Sequence, residues 1–297
     1  MSIPSSLPWP REAILAAARA MAGGAGFAPT LLAALALPHA DSRRVVAAIH
    51  NAPGVALRVL KVANSAFYGR AGQVDTLDRA VQVLGLDAVR TMASAACLDR
   101  VMPGTDSSGG GPSAADLLNH SLATAVLARD LAQMLLPGRA ADAFLAGLLH
   151  DLGYRVVQQL AGPHAEKCAG TGAAADAADG AAEGAADGAA NRAALAFRWH
   201  GPCAALVFDS WNLPDWLARV VASHHRPADA GPEHEPLTRI VAAAEQWADA
   251  SGHGLALEPL SDAPWPLPDV DPDSPALQAL RQQWPQSLAA LKLALAR

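Results

Sequence analysis

The sequence predicts an all-α protein, a multi-helix bundle preceded by an N-terminal helical subdomain. Three observations predict it. Apolar residues make up 52% of the 297-residue chain but aromatics only 5%. The core is therefore built from Ala, Leu and Val, and Ala and Leu head the helix propensity scale. Apolar residues also recur at helical spacing, as in Leu217, Val220, Val221 and His224 at i, i+3, i+4 and i+7. No convincing strand-like alternation occurs.

A first helical section runs over residues 11–102. "REAILAAARAMA" follows Pro10, well placed for a first helical turn, and stops at Gly23-Gly24. "DSRRVVAAIHNAPG" opens on an Asp41-Ser42 cap and ends at Pro53-Gly54. "VALRVLKVANSAFYG" carries Leu57, Leu60, Val62 and Ala63 at helical spacing. "TLDRAVQVLGLDAVRTMASAACLDRVM" supplies one or two more helices around Gly85. "PGTDSSGGGPS" is a loop by composition.

The second section covers residues 113–252. In "SAADLLNHSLATAVLARDLAQMLL", Ser113 and Asp116 have capping-box spacing, with Asp in place of Glu. "AADAFLAGLLHDLGYRVVQQL" reads as the next helix. Residues 169–191 are low in complexity. Ala favours helix there, but Gly172, Gly180, Gly184 and Gly188 interrupt it and no Leu, Ile or Phe anchors it. The expectation is an acidic, mobile surface insertion. "RAALAFRWHGPCAALVFDSWN", "LPDWLARVVASHH" and "PLTRIVAAAEQWADASG" give three further helices, Pro214 starting the second. Residues 259–297 are a Pro- and Asp-rich tail closed by an amphipathic helix.

Charge and cysteine usage narrow the function classes. The net charge is −6 without a basic block, which argues against nucleic-acid or anionic-membrane binding. Cys97, Cys168 and Cys203 are scattered, odd in number and without CxxC spacing, as expected in a reducing compartment. No apolar run approaches the ~20 residues that span a bilayer. The N-terminus lacks a basic region before its apolar part, unlike a signal peptide. The expectation is a soluble cytoplasmic protein.

The chemistry concentrates in the second section. "FLAGLLHDLGY" sets His150 and Asp151 side by side within an apolar run. His120 lies on the helix before, His200 on the helix after, His224 and His225 end the next, and Glu245 lies on the last. Adjacent positions on a continuous helix point about 100° apart, so His150 and Asp151 would flank a metal just off one face. Imidazole with carboxylate is a ligand set that suits Zn, Mn, Fe and Ni. Gly147, one turn before His150, leaves room for a close neighbour. Each residue also has an ordinary explanation. A single inward histidine is usually a hydrogen-bonded core residue. His224 and His225 could complement a helix dipole as cations, Asp151 could pair with Arg155, and Glu245 could be solvated. Convergence of five helices, each supplying a ligand type, favours the metal site.

The spacing H…HD…H…HH…(D/E) resembles the HD superfamily of helical metal-dependent phosphohydrolases. "IHNAPGVALRVLKVANSAFYG" and "VDTLDRAVQVLGLDAVRTMA" resemble the N-terminal half of HDOD domains, the HD-related output domains of bacterial signalling. "AFLAGLLHDLGY", "WHGPCAALVFDSWNLPDWLARVVASHHRP" and "IVAAAEQWADASG" resemble the second half. The similarity covers about residues 29–252. It implies metal ligands at His120, His150, Asp151, His200, His224, His225 and Glu245, the last standing where related enzymes have Asp. It implies one or two transition-metal ions, Fe, Mn, Ni or Zn.

Three positions depart from the pattern. Active cyclic-dinucleotide phosphodiesterases of the HD-GYP type have Lys where Tyr154 stands. Their Gly-Tyr-Pro signature is missing after His225, and the Asp usual before Pro53 is Ala52. The resemblance therefore implies a regulatory module acting through contacts with signalling proteins, its metal site retained or vestigial. The alternative is a metal-dependent phosphohydrolase for a nucleotide or cyclic dinucleotide, with Asp151 central to catalysis. That alternative lacks an obvious phosphate-binding cation, leaving Arg155, Arg198 or Arg226 as weak substitutes. Asn64, Ser65 and Tyr68 are either a surface used by the family or the end of a helix.

Overall fold

A computed structural model describes residues 7–21, 27–37, 41–64, 74–101, 112–161, 185–255 and 264–296. Ser65, Tyr68, Cys168 and most of the low-complexity segment lie outside them. The described residues hold helices and turns and no strand, as the sequence predicts. The first half comprises α1 (Arg11–Met21), α2 (Phe27–Leu35), α3 (Ser42–His50), α4 (Pro53–Ala63), α5 (Leu77–Leu84) and α6 (Leu86–Val101). The second comprises α7 (Ala114–Leu135), α8 (Ala140–Leu149), α9 (Leu152–Leu160), α10 (Ala185–Ser210), α11 (Asp215–Ala222) and α12 (Glu235–Ala248). The tail ends in α13 (Pro275–Ala296).

Local chemistry sets the helix ends. Asp41 caps α3 by accepting from the Arg44 backbone N–H at 2.8 Å. Ser113 and Asp116 close a reciprocal capping box on α7, so the shorter Asp reaches as a Glu would. Gly85 separates α5 from α6 at φ +87°, backbone that few other residues adopt. Ala52 offers no side-chain cap, yet α4 starts beside it because Pro53 is preset for a first helical turn.

Two sequence expectations need correction. α10 begins at Ala185, inside the stretch expected to be a loop. Two Ala-rich turns therefore run on from the anchored helix that follows, so neighbouring structure overrides Gly188. The segment expected as one helix through His150 breaks there into α8 and α9.

α7 is the central helix, packed against α8, α12 and α13, while α10 packs on α9 and α11. α6 lies against α8 and joins the two halves. α1 packs against α9 and α10 rather than continuing the first half, and Arg11 meets Asp209 at 3.0 Å. Phe144 and Phe208 are fully buried among Ala, Leu and Val.

Asn64 is a chain clamp. Its amide donates to the Leu60 carbonyl at 2.9 Å and the Val74 carbonyl at 2.6 Å, and its oxygen accepts from the Val74 N–H at 3.0 Å. It thus ends α4 and pins the strand of chain that returns toward α5. Asn64→Ala removes all three bonds and should lower unfolding free energy by roughly 1–3 kcal/mol. Urea denaturation checks this, and an unchanged midpoint would refute the clamp.

Candidate metal centre

The break between α8 and α9 solves the problem posed by two adjacent polar residues. His150 keeps helical backbone (φ −56°, ψ −37°), and Asp151 turns to φ −100°, ψ 10°. On an unbroken helix the two would diverge by about 100°. Here the chain changes direction between them, and His150 Nε2 comes within 3.3 Å of Asp151 Oδ2.

All seven predicted residues meet around that carboxylate. On one side, ligand atoms of His120, His150, Asp151 and Glu245 lie within 4.8 Å of one another. On the other, His200, His224 and His225 form a second such group. Asp151 joins the two. Its Oδ2 lies 3.3 Å from His120 Nε2, and its Oδ1 lies 3.5 Å from His200 Nε2 and 3.8 Å from His224 Nε2. Glu245 spans the same gap, Oε1 3.9 Å from His150 Nε2 and Oε2 3.8 Å from His224 Nε2. His225 Nδ1 is 3.9 Å from Glu245 Oε2.

The tautomers are set by the backbone. The Nδ1–H of His120 donates to the His253 carbonyl, that of His150 to Gly147, that of His200 to Ala196 and that of His224 to Val221, at 2.6–3.0 Å. A carbonyl only accepts, so each Nδ1 carries hydrogen and each neutral ring turns an Nε2 lone pair inward. His120 and His150 bring these atoms to 3.0 Å, and His200 and His224 to 3.1 Å. Two lone pairs so close require a proton or a cation between them. Asp151 Oδ1 and His225 Nε2 are buried with no hydrogen-bond partner. Orphaned lone pairs and inward imidazoles fit a transition-metal ion in each group.

Electrostatics and geometry remove three of the ordinary readings: the dipole-capping cations, the solvated acid and the Arg155 pair. Burial pushes His225 down to about 3, aided by His200, and pushes His224 well below its usual range, aided by His225. Neither is a dipole-capping cation. Burial raises Glu245 well above the carboxylate range, and Asp151 and Asp249 raise it further, so it is not a solvated acid. Burial also works to raise Asp151, but the surrounding histidines, His150 first, hold it well below its usual value. Asp151 pairs with these rings, not with Arg155, which donates to Gln158. For His120, burial opposes protonation but Asp151 and Asp249 outweigh it and raise the pKa.

Small residues bring the ligand helices together. A Cβ at Gly147 would sit 3.0 Å from the Ala125 Cα of α7, as its place one turn before His150 suggests. Gly153 was missed by sequence reading. A Cβ there would overlap the carbonyl of His200, so α9 can touch α10 only through a glycine. Tyr154 stacks on the His200 ring, centroids 4.2 Å apart and planes 7° apart. Asp249 was also missed. It lies one turn beyond Glu245, with Oδ1 3.6 Å from His120 Nδ1. That i+4 spacing was the available signal.

Of the candidate cations, Arg198 lies over the Trp199 ring and Arg226 pairs with Asp229 at the surface. Gly153→Ala should lower stability by at least ~1–3 kcal/mol, because a backbone carbonyl must move. Thermal unfolding checks this, and a wild-type melting temperature would refute the contact.

The HDOD domain sequence profile matches residues 25–227. Solved structures share the fold. An HDOD domain protein of unknown function from Geobacter sulfurreducens superposes with TM-score 0.63 at 18% identity, over 96% of this chain and 97% of that one. A protein provisionally assigned as a phosphohydrolase from Shewanella amazonensis SB2B gives 0.62 at 22%, over 95% and 98%. One provisionally assigned to signal transduction from Marinobacter aquaeolei VT8 gives 0.63 at 22%, over 91% and 59%. No curated protein sequence matches the chain. With more than half its length matched by the family profile and an all-helical fold shared with a solved member, the chain belongs to the HDOD domain family.

Proposed function

We propose that this chain is a signalling output module that works through protein contacts, and that its His/Asp/Glu centre holds one or two transition-metal ions in a structural or regulatory role. The observation that carries this is burial of most of the centre together with an aromatic ring, not a cation, at position 154. His120, His150, Asp151, His200, His224 and Glu245 are each at most 4% exposed. Tyr154, standing where active relatives have Lys, is buried and spends its ring on His200. A phosphodiester would have to reach a centre of which six side chains are buried and only His225 is partly exposed, and would meet no ammonium at position 154.

The complete ligand set favours a second reading, hydrolysis of a nucleotide or cyclic dinucleotide. Bound metals would there supply Lewis acidity and activate water. The chain's own part would be to orient the imidazoles through their backbone carbonyls and to balance charge with Asp151 and Glu245. Loss of one charge-assisted phosphate contact costs ~10²-fold or more in rate, which ranks this reading second. The partners are proposed to be signalling proteins, by family membership.

Elemental analysis of protein purified without chelator and incubated with Mn, Fe, Ni or Zn should find about one to two equivalents of metal, and Asp151→Asn should lose most of it. Uptake below about a tenth of an equivalent would sink the metal reading. Cyclic dinucleotides and nucleotides incubated with the loaded protein should stay intact. Turnover abolished by Asp151→Ala would instead establish the hydrolase.

A further inference from the structure

Two helices that deliver ligands are anchored at their far ends to one spot in the N-terminal half. α8 carries Asp142 in its first turn and His150 eight residues further on. α11 carries Trp216 in its first turn and ends at Ala222, two residues before His224. Asp142 is thus roughly 12 Å along the helix axis from His150, and Trp216 sits at the opposite end of α11 from His224. Both anchors lead to the C-terminal end of α2. The Trp216 indole N–H donates to the Ala36 carbonyl at 3.0 Å. Arg90, from α6, donates to the Leu35 carbonyl through Nε at 3.0 Å and Nη2 at 2.6 Å, and reaches Asp142 Oδ1 at 2.7 Å.

Arg139 ties the two anchors together. Its Nε donates to Asp142 Oδ2 at 2.7 Å, and its guanidinium lies 5.6 Å from the centre of the Trp216 ring. The Arg90 and Asp142 side chains are only 11% and 10% exposed, so this is a buried network with a preferred geometry rather than a surface pair. The exposed carbonyls at a helix C-terminus are its negative end and suit a guanidinium.

We infer that the α2 terminus, with Arg90, Asp142, Arg139 and Trp216, is a positioning node through which the N-terminal half sets the spacing between the His150–Asp151 and His224–His225 ligand pairs. The inference rests on the metal-binding reading above and adds its regulation. α8 leads into His150 and Asp151 of one group, and α11 leads into His224 and His225 of the other. A shift of α2 moves both helices at their roots. Coupling of this kind is reciprocal: whatever displaces α2 weakens metal binding, and metal binding holds α2 in place.

The test compares Mn(II) dissociation constants and apo-protein melting temperatures for the wild type, Trp216→Phe, Arg90→Gln and Asn64→Ala. Trp216→Phe keeps a ring and deletes the N–H. Arg90→Gln keeps a polar side chain and deletes the charge. Asn64→Ala lowers stability in the N-terminal half away from the node. Both node variants should bind Mn(II) about five- to tenfold more weakly, while Asn64→Ala binds as the wild type does. Equal weakening in Asn64→Ala would reduce the effect to general destabilisation and overturn the inference.

Node variants within about twofold of a metal-binding wild type would overturn the inference alone. A wild type that takes up no metal overturns both it and the reading beneath it. Should the variants not fold, hydrogen exchange on the wild type still decides. Mn(II) should slow exchange of the amides of residues 31–36, and unchanged exchange there counts against the node.

Discussion

The Asp151 carboxylate is the constraint around which the second half is arranged. It is 1% exposed, and an ion so buried is strongly unfavourable unless it is surrounded by donors or cations. Its two oxygens divide the histidines into two groups, Oδ2 toward His120 and His150, Oδ1 toward His200 and His224. Glu245 adds a second acid in the same space. Held among these neighbours, Asp151 stays ionised while Glu245 is pushed toward its neutral form. Buried acids and inward ring nitrogens thus share one space, a setting in which a bound cation would stabilise the fold that holds it.

Backbone geometry makes that arrangement reachable. Ligands from α7, the α8–α9 break, α10, the end of α11 and α12 converge only if their helices approach unusually closely. Glycine at 153 lets α9 rest on the carbonyl of His200 itself. Carbonyl acceptors at Gly147, Ala196, Val221 and His253 then lock each ring by its outer nitrogen. Three of the four are on the same chain segment as the histidine they hold, so ring orientation is mostly local to the chain around each histidine. Only His120 depends on a distant carbonyl, through the turn that follows α12.

Much of this was legible in the sequence, and the failures have physical causes. The helices, the Ser113 capping box, the inward stripe ending in His224 and the space at Gly147 follow from periodicity and residue type. The seven residues that come together around Asp151 were named from spacing and family resemblance. The break at His150–Asp151 was not legible, because "GLLHDLGYRVV" keeps helical composition throughout and the interruption is driven by tertiary demand. The start of α10 at Ala185 was hidden by Gly188, which a continuing helix overrides. Gly153 and Trp216 act through contacts with chain elements 47 and 180 residues away in sequence, which no local pattern reports. Asn64 could not be assigned to surface or clamp until Val74 was placed beside it.

Burial also distinguishes the clustered side chains from position 154. The ligands share one enclosed space, so each balances the charge or lone pair of several others. Removing Asp151 would leave inward Nε2 atoms facing one another, and removing His150 would leave a carboxylate short of a donor. Either change penalises folding itself, whatever the protein does. Position 154 carries no such burden. A Tyr there packs flat on His200 and satisfies the core without offering any charge to a substrate. The centre is thus tied to the stability of the bundle, whereas the phosphate contact is free to vary independently of it. For this reason the clustered His, Asp and Glu side chains bear more directly on the capacity to hold a cation than on hydrolysis.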